Sequence, residues 1–187
     1  VDSSHGISYM AMSHFLLSLG FLSNWIGMME FNLMLENRYD KFLATVKEQN
    51  AGKDWYDIRK KMSAVPALKR AILTFMAEDE YEETRKLIDE RIKTYDATKL
   101  KEDLSLYLEH FPEKKIVFFI DEMSEALSQK KINLLDLEGL SEALSSLGNR
   151  VWTVGIAQQA FNDVLNASGL NIHQLNKVEA RFKTRIP

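Results

Sequence analysis

Apolar residues recur at helical spacing over the first two-thirds of the chain, and the period then changes. Phe15, Leu16, Leu19 and Leu22 fall three or four residues apart; Trp25, Met28, Met29, Leu33 and Leu35 take up the spacing again beyond the interruption at 20–24. Tyr39, Phe42, Leu43 and Val46 form an i, i+3, i+4, i+7 stripe closed by Asn50-Ala51-Gly52. Asp54 stands as N-cap to a short helix carrying Trp55, Ile58 and Met62, and Pro66 suits the first turn of a helix with Leu68, Ala71, Ile72, Phe75 and Met76 on its inner face. The charged stretch 78–93 keeps a narrow apolar side of Tyr81, Leu87, Ile88 and Ile92. Leu100, Leu104, Tyr107, Leu108 and Phe111 mark the last helix before the turn at Pro112-Glu113-Lys114-Lys115.

The remaining third reads as strand, helix, strand. Ile116-Val117-Phe118-Phe119-Ile120 is a run of large, mostly β-favouring side chains without a charge, which predicts a strand buried on both faces of a parallel sheet. A loop or short helix runs through Lys131, and Leu137, Leu140, Leu144 and Leu147 lie on a helix stopped by Gly148-Asn149. Val151-Trp152-Thr153-Val154-Gly155-Ile156 is a second strand. A strand–helix–strand crossover is right-handed and parallel in nearly every case, so both strands belong to one sheet with their carboxyl ends on one edge. The expected fold class is α/β, helical by content: a parallel sheet with a large helical insertion at about 20–111 and a core at about 112–187, all in one partial domain spanning 1–187.

Composition changes this picture little. With 45% apolar and 27% charged residues, the chain is that of an ordinary globular domain, and its net charge of −3 argues against a basic nucleic-acid surface over the whole chain while leaving local basic patches open. No cysteine is present, which excludes disulfides and thiolate metal sites and fits a cytoplasmic protein; the histidines His5, His14, His110 and His173 lack ligand spacing. The stretch from Ser3 to Met29 holds no Lys, Arg, Asp or Glu and exceeds the roughly 20 residues of a membrane span. Serines, histidines and Asn24 interrupt it and no aromatic or basic girdle flanks both ends, so it reads as a helix packed against a sheet.

The chemistry sits where the first strand ends. Asp121 and Glu122 follow the apolar run in the form of a Walker B strand: Asp121 would hold a magnesium ion, usually through water, and Glu122 would orient and deprotonate an attacking water. An acid that caps the following helix is the structural alternative. No Gly-x-x-x-x-Gly-Lys-Ser/Thr occurs, so the chain itself offers no phosphate-gripping loop. Val1-Asp2-Ser3-Ser4, without an initiator methionine, reads as the end of a strand cut within a domain. Gln158, beyond the second strand, could sense a γ-phosphate because its amide both donates and accepts; a loop glutamine bonded to backbone is the plainer reading. In the tail Arg181-Phe182-Lys183-Thr184-Arg185, Arg181 and then Arg185 are candidates for an arginine reaching a neighbouring subunit's nucleotide, against a solvated basic edge strand.

Three stretches carry a family resemblance: Gly20-Phe21-Leu22-Ser23 leading to the helix with Glu36; Tyr39-Asp40-Lys41-Phe42 with Gly52-Lys53-Asp54-Trp55 and Arg59; and 116–122 with Val151-Trp152, Gln158 and the arginine-rich tail. With them the chain resembles the P-loop ATPase of bacterial BREX phage-defence systems, the BrxC/PglY family. The resemblance implies a large multidomain AAA+-like ATPase using ATP and magnesium, with its P-loop upstream of a strand that ends in Asp-Ser, as Asp2-Ser3 does. It further implies self-association, other BREX components as partners, and DNA reached indirectly or through other regions. The chain departs from the family at Met123-Ser124-Glu125, where a Gly-Gln pattern is usual, and at Gln159, often an acid. A STAND or origin-recognition-like regulatory NTPase switch, and a non-catalytic helical interaction module, are the competing readings.

Overall fold

A computed structural model describes residues 6–121 and 134–156 of the chain. In order, the elements are α1 (Ile7–Ser18), α2 (Trp25–Leu35), α3 (Tyr39–Gln49), α4 (Trp55–Ile58), α5 (Ala64–Ile72), α6 (Glu78–Lys93), α7 (Ala97–His110), β1 (Ile116–Ile120), α8 (Leu134–Ser145) and β2 (Val151–Gly155). The protein is predominantly helical with a small parallel sheet of two strands among the described residues. Its described residues include no helix long and apolar enough to cross a membrane. Two compact units divide the chain: Met12–Thr94, and Val1–Ala11 with Tyr95–Pro187.

The unit Met12–Thr94 is helical. Its helix α2, WIGMMEFNLML, is almost wholly apolar, and Ile26, Met28, Met29, Phe31 and Leu33 are all buried, as a helix apolar all round requires. Asn24 caps it, its side chain accepting from the Ile26 N–H at 2.9 Å. Helices α3 and α6 pack against α2, and α3 also takes α4 and α5. Gly20, with φ of 82°, turns the chain out of α1 and brings 21–23 back across the start of α2. There the Leu22 carbonyl presses on Gly27 so closely that a Cβ would sit 1.7 Å from its oxygen. The glycine in this otherwise side-chain-rich helix is therefore a packing requirement.

In the second unit, β1 and β2 pair in parallel, with Ile116 opposite Val151 and Ile120 opposite Gly155. The connecting helix α8 buries Leu137, Leu140 and Leu144 and packs against β2 and α7. Arg150, just before β2, donates through Nη2 to the Leu108 and Phe111 carbonyls at 2.7 and 3.0 Å, tying the carboxyl end of α7 to the start of the sheet. A cation suits that helix end, where unpaired carbonyls gather negative potential. Tyr95 donates to the buried carboxylate of Asp103 at 2.5 Å, and the Tyr9 ring meets Tyr95 edge-on.

Four expectations are corrected. The strands are not buried on both faces: Ile116 and Val151 are buried, whereas Val117, Phe119, Trp152 and Val154 are exposed. With α8 against the pair among the described residues, the faces alternate as strand geometry dictates. Met62 is not on the short helix with Trp55 and Ile58; α4 ends at Ile58, and the turn that follows leaves Met62 fully exposed. Leu87 is 58% exposed, so the buried side of α6 is narrower than its spacing suggested, formed by Tyr81 and Ile88. Asp54 stands at the N-cap of α4 without a capping bond, its carboxylate paired instead with Lys47 at 3.2 Å.

Gly27→Ala tests the clamp over α2. The added methyl must displace the Leu22 backbone, so the variant should lose about 3 kcal/mol or more, the upper range of overpacking costs, read as a lower midpoint in denaturant unfolding. A midpoint unchanged from wild type would show that the loop yields freely.

Candidate functional site

Two places in the structure have the chemistry of a site. The first is the carboxyl edge of the sheet. Asp121 directly follows β1 and is exposed, and the Ile156 N–H donates to the Ile120 carbonyl at 2.8 Å, which keeps the two strand ends level. A carboxylate on this edge can meet a hard cation in solvent, and magnesium is commonly held by one or two carboxylates together with substrate phosphates and water. Among the described residues no three His, Asp or Glu side chains gather as a metal cage. Glu122, Gln158, Arg181 and Arg185 lie outside the described residues.

The second place was not singled out in the sequence. Glu30, in the middle of apolar α2, is completely buried. Its Oε1 accepts from Trp55 Nε1 at 2.8 Å, from the Tyr39 hydroxyl at 2.9 Å and from Arg59 Nη1 at 3.2 Å, while Oε2 faces the Leu22 N–H at 3.4 Å. The aromatic rings that bring these donors in also pack on one another: Phe21 meets Tyr39 edge-on, Tyr39 stacks on Phe42, and Phe42 meets Trp55 edge-on. A carboxylate removed from water is tolerated only with donors and a counter-charge, and both are supplied here. Burial, followed by the negative charge of Glu30, pushes the Tyr39 hydroxyl far above its ordinary range, so it acts as a fixed donor.

Segments far apart in sequence meet at this carboxylate. Leu22, Tyr39, Trp55 and Arg59 come from separate segments and share Glu30 as their acceptor. A signal for it was present: Glu30 is the first acid after the uncharged run 3–29 and is flanked by apolar residues on one helix. An acid at such a position has to be paired. Both oxygens of the carboxylate are met by donors from within the unit, so the network is structural, and Arg59 Nε is buried beside it without a hydrogen-bond partner.

No protein-family model, curated protein or solved structure matches the chain.

Removing the acceptor should be costly. Glu30→Ala leaves the nine-tenths buried Arg59 without its counter-charge, and a loss of about 3–5 kcal/mol is expected in chemical unfolding followed by tryptophan emission. A loss below about 1 kcal/mol would refute the network's role. Tyr39 adds a pH dependence. Its folded-state pKa is raised, so above pH ~10 the unfolded chain releases a proton that the folded chain keeps, and stability should fall as pH rises. Because Tyr81 and Tyr107 are also raised by burial, Tyr39→Phe should reduce that alkaline slope without abolishing it. An identical slope in the variant would remove Tyr39 from the effect.

Proposed function

We propose that this chain is part of a BREX-type P-loop ATPase of the AAA+ kind, which binds and hydrolyses ATP to drive defence against phage DNA in the cytoplasm. One observation carries the reading: a parallel strand–helix–strand unit with its strand ends level at the carboxyl edge, where the sequence continues from the first strand into Asp121-Glu122. In this reading Asp121 takes part in holding magnesium and Glu122 positions and deprotonates the attacking water. Gln158 contacts the γ-phosphate, and Arg181, or failing it Arg185, reaches a neighbouring subunit's nucleotide. Bound magnesium would supply neutralisation of phosphate charge.

The open side of the sheet supports the same reading. A P-loop unit contributes a strand beside the existing ones and a helix over the face that α8 leaves free. Val117, Phe119, Trp152 and Val154 make that face apolar and exposed, and parallel sheets are ordinarily covered on both faces. Self-association and contact with other BREX components follow from the reading.

Phosphate affinity comes mainly from the loop and lysine that this sequence lacks. Residues 1–187 alone should therefore show weak magnesium-ATP binding or none by calorimetry, and low-micromolar affinity would contradict the reading. In a longer polypeptide that adds a P-loop unit, Asp121→Ala should weaken magnesium-dependent nucleotide binding. Equal metal dependence in variant and wild type would count against its role.

A further inference from the structure

The segment 53–62 is pinned from inside and charged outside. Trp55 and Ile58 are buried, Trp55 on Glu30, and the bonds from Arg59 N to the Trp55 carbonyl and from Lys61 N to the Ile58 carbonyl, both 2.9 Å, close two successive turns. The outward residues are Lys53, Asp54, Tyr56, Asp57, Lys60, Lys61 and Met62. The Arg59 guanidinium, held by Glu30, lies 4.4 Å from the centroid of the Tyr56 ring, which remains 45% exposed.

Elsewhere in this helical unit many cations are matched with acids. Arg38 is held by Glu36, Lys47 by Asp54, Lys69 by Glu78 and Glu82, Arg85 by Asp89 and Lys86 by Glu90. Among the described residues Lys53, Lys60 and Lys61 form no ion pair. Asp54 is paired with Lys47 and Arg59 with Glu30, so the segment sets three unpaired lysines against one acid, Asp57, outside those two pairs. An exposed ring backed by a fixed arginine, with unmatched lysines beside it, has the two components of a single-strand binding surface: stacking for a base and charge for the phosphates.

We propose that the Tyr56–Met62 turn, with Lys53, is a contact surface for single-stranded nucleic acid. An acidic protein segment would use the lysines but gain little from the ring. A duplex keeps its bases stacked away from Tyr56. The surface belongs to the helical unit and the sheet edge to the other, and its test needs no ATP, so its failure and that of the ATPase reading are separable.

The test is fluorescence anisotropy of the 187-residue chain with a labelled oligothymidine at low salt, with duplex DNA and polyglutamate as competitors. Lys60→Ala with Lys61→Ala should weaken binding and lower the slope of log affinity against log salt by about 1.4, two contacts at about 0.7 each. Tyr56→Ala should weaken binding about tenfold, within the range for one lost base stack, while Tyr56→Phe should bind as wild type. These side chains are exposed, and an unchanged circular dichroism melt would confirm that the variants fold. Absence of wild-type binding, affinity unmoved by the substitutions, or displacement by polyglutamate or duplex in preference to a single strand would each overturn the proposal.

Discussion

The helical unit depends on one constraint, a carboxylate buried where water cannot reach it. Glu30 must be surrounded by donors, and meeting that demand fixes four separated segments: the Leu22 loop, the start of α3 through Tyr39, α4 through Trp55, and the turn after it through Arg59. An apolar side chain of similar size could fill the space at little cost or even with gain, since buried ion pairs seldom beat good packing. It would not specify which rings and which loop must meet there. Directional bonds do, and the Gly27 contact that seats the Leu22 loop one helical turn away acts on the same segment.

How much of this was legible follows from what each signal encodes. Helical spacing recovered the helices because an amphipathic stripe such as Tyr39, Phe42, Val46 is a local property of the sequence. The parallel pairing was legible too, since two apolar runs joined by one helix have almost no other topology. Burial of the strands on both faces was a misreading, because the composition of 116–120 reports what the face is suited to and not what lies against it. Met62 was misplaced for a related reason: helical spacing continues in the sequence past Ile58, where the backbone turns. Glu30 was overlooked because its partners lie up to 29 residues away, and pairing at that distance leaves no periodic trace.

The sheet is governed by different physics. Its carboxyl edge is defined by backbone direction alone: parallel strands present all their carboxyl ends together, and an acid placed just after one of them is exposed beside its neighbour's end. Asp121 has that position by geometry, with Arg150 anchoring the other end of the pair to the last turn of α7. The face formed by Phe119 and Trp152 is apolar yet exposed, unlike a parallel sheet covered on both sides.

The most direct measurement of the functional account concerns the acid next to Asp121. In a polypeptide that joins this chain to a P-loop unit, Glu122→Gln keeps the shape and hydrogen bonding of the side chain but removes the base. Single-turnover hydrolysis of bound ATP should fall about 100-fold or more, with magnesium-ATP affinity preserved. Unchanged turnover would contradict the account, whereas loss of both binding and hydrolysis would assign Glu122 a structural place and not a catalytic one.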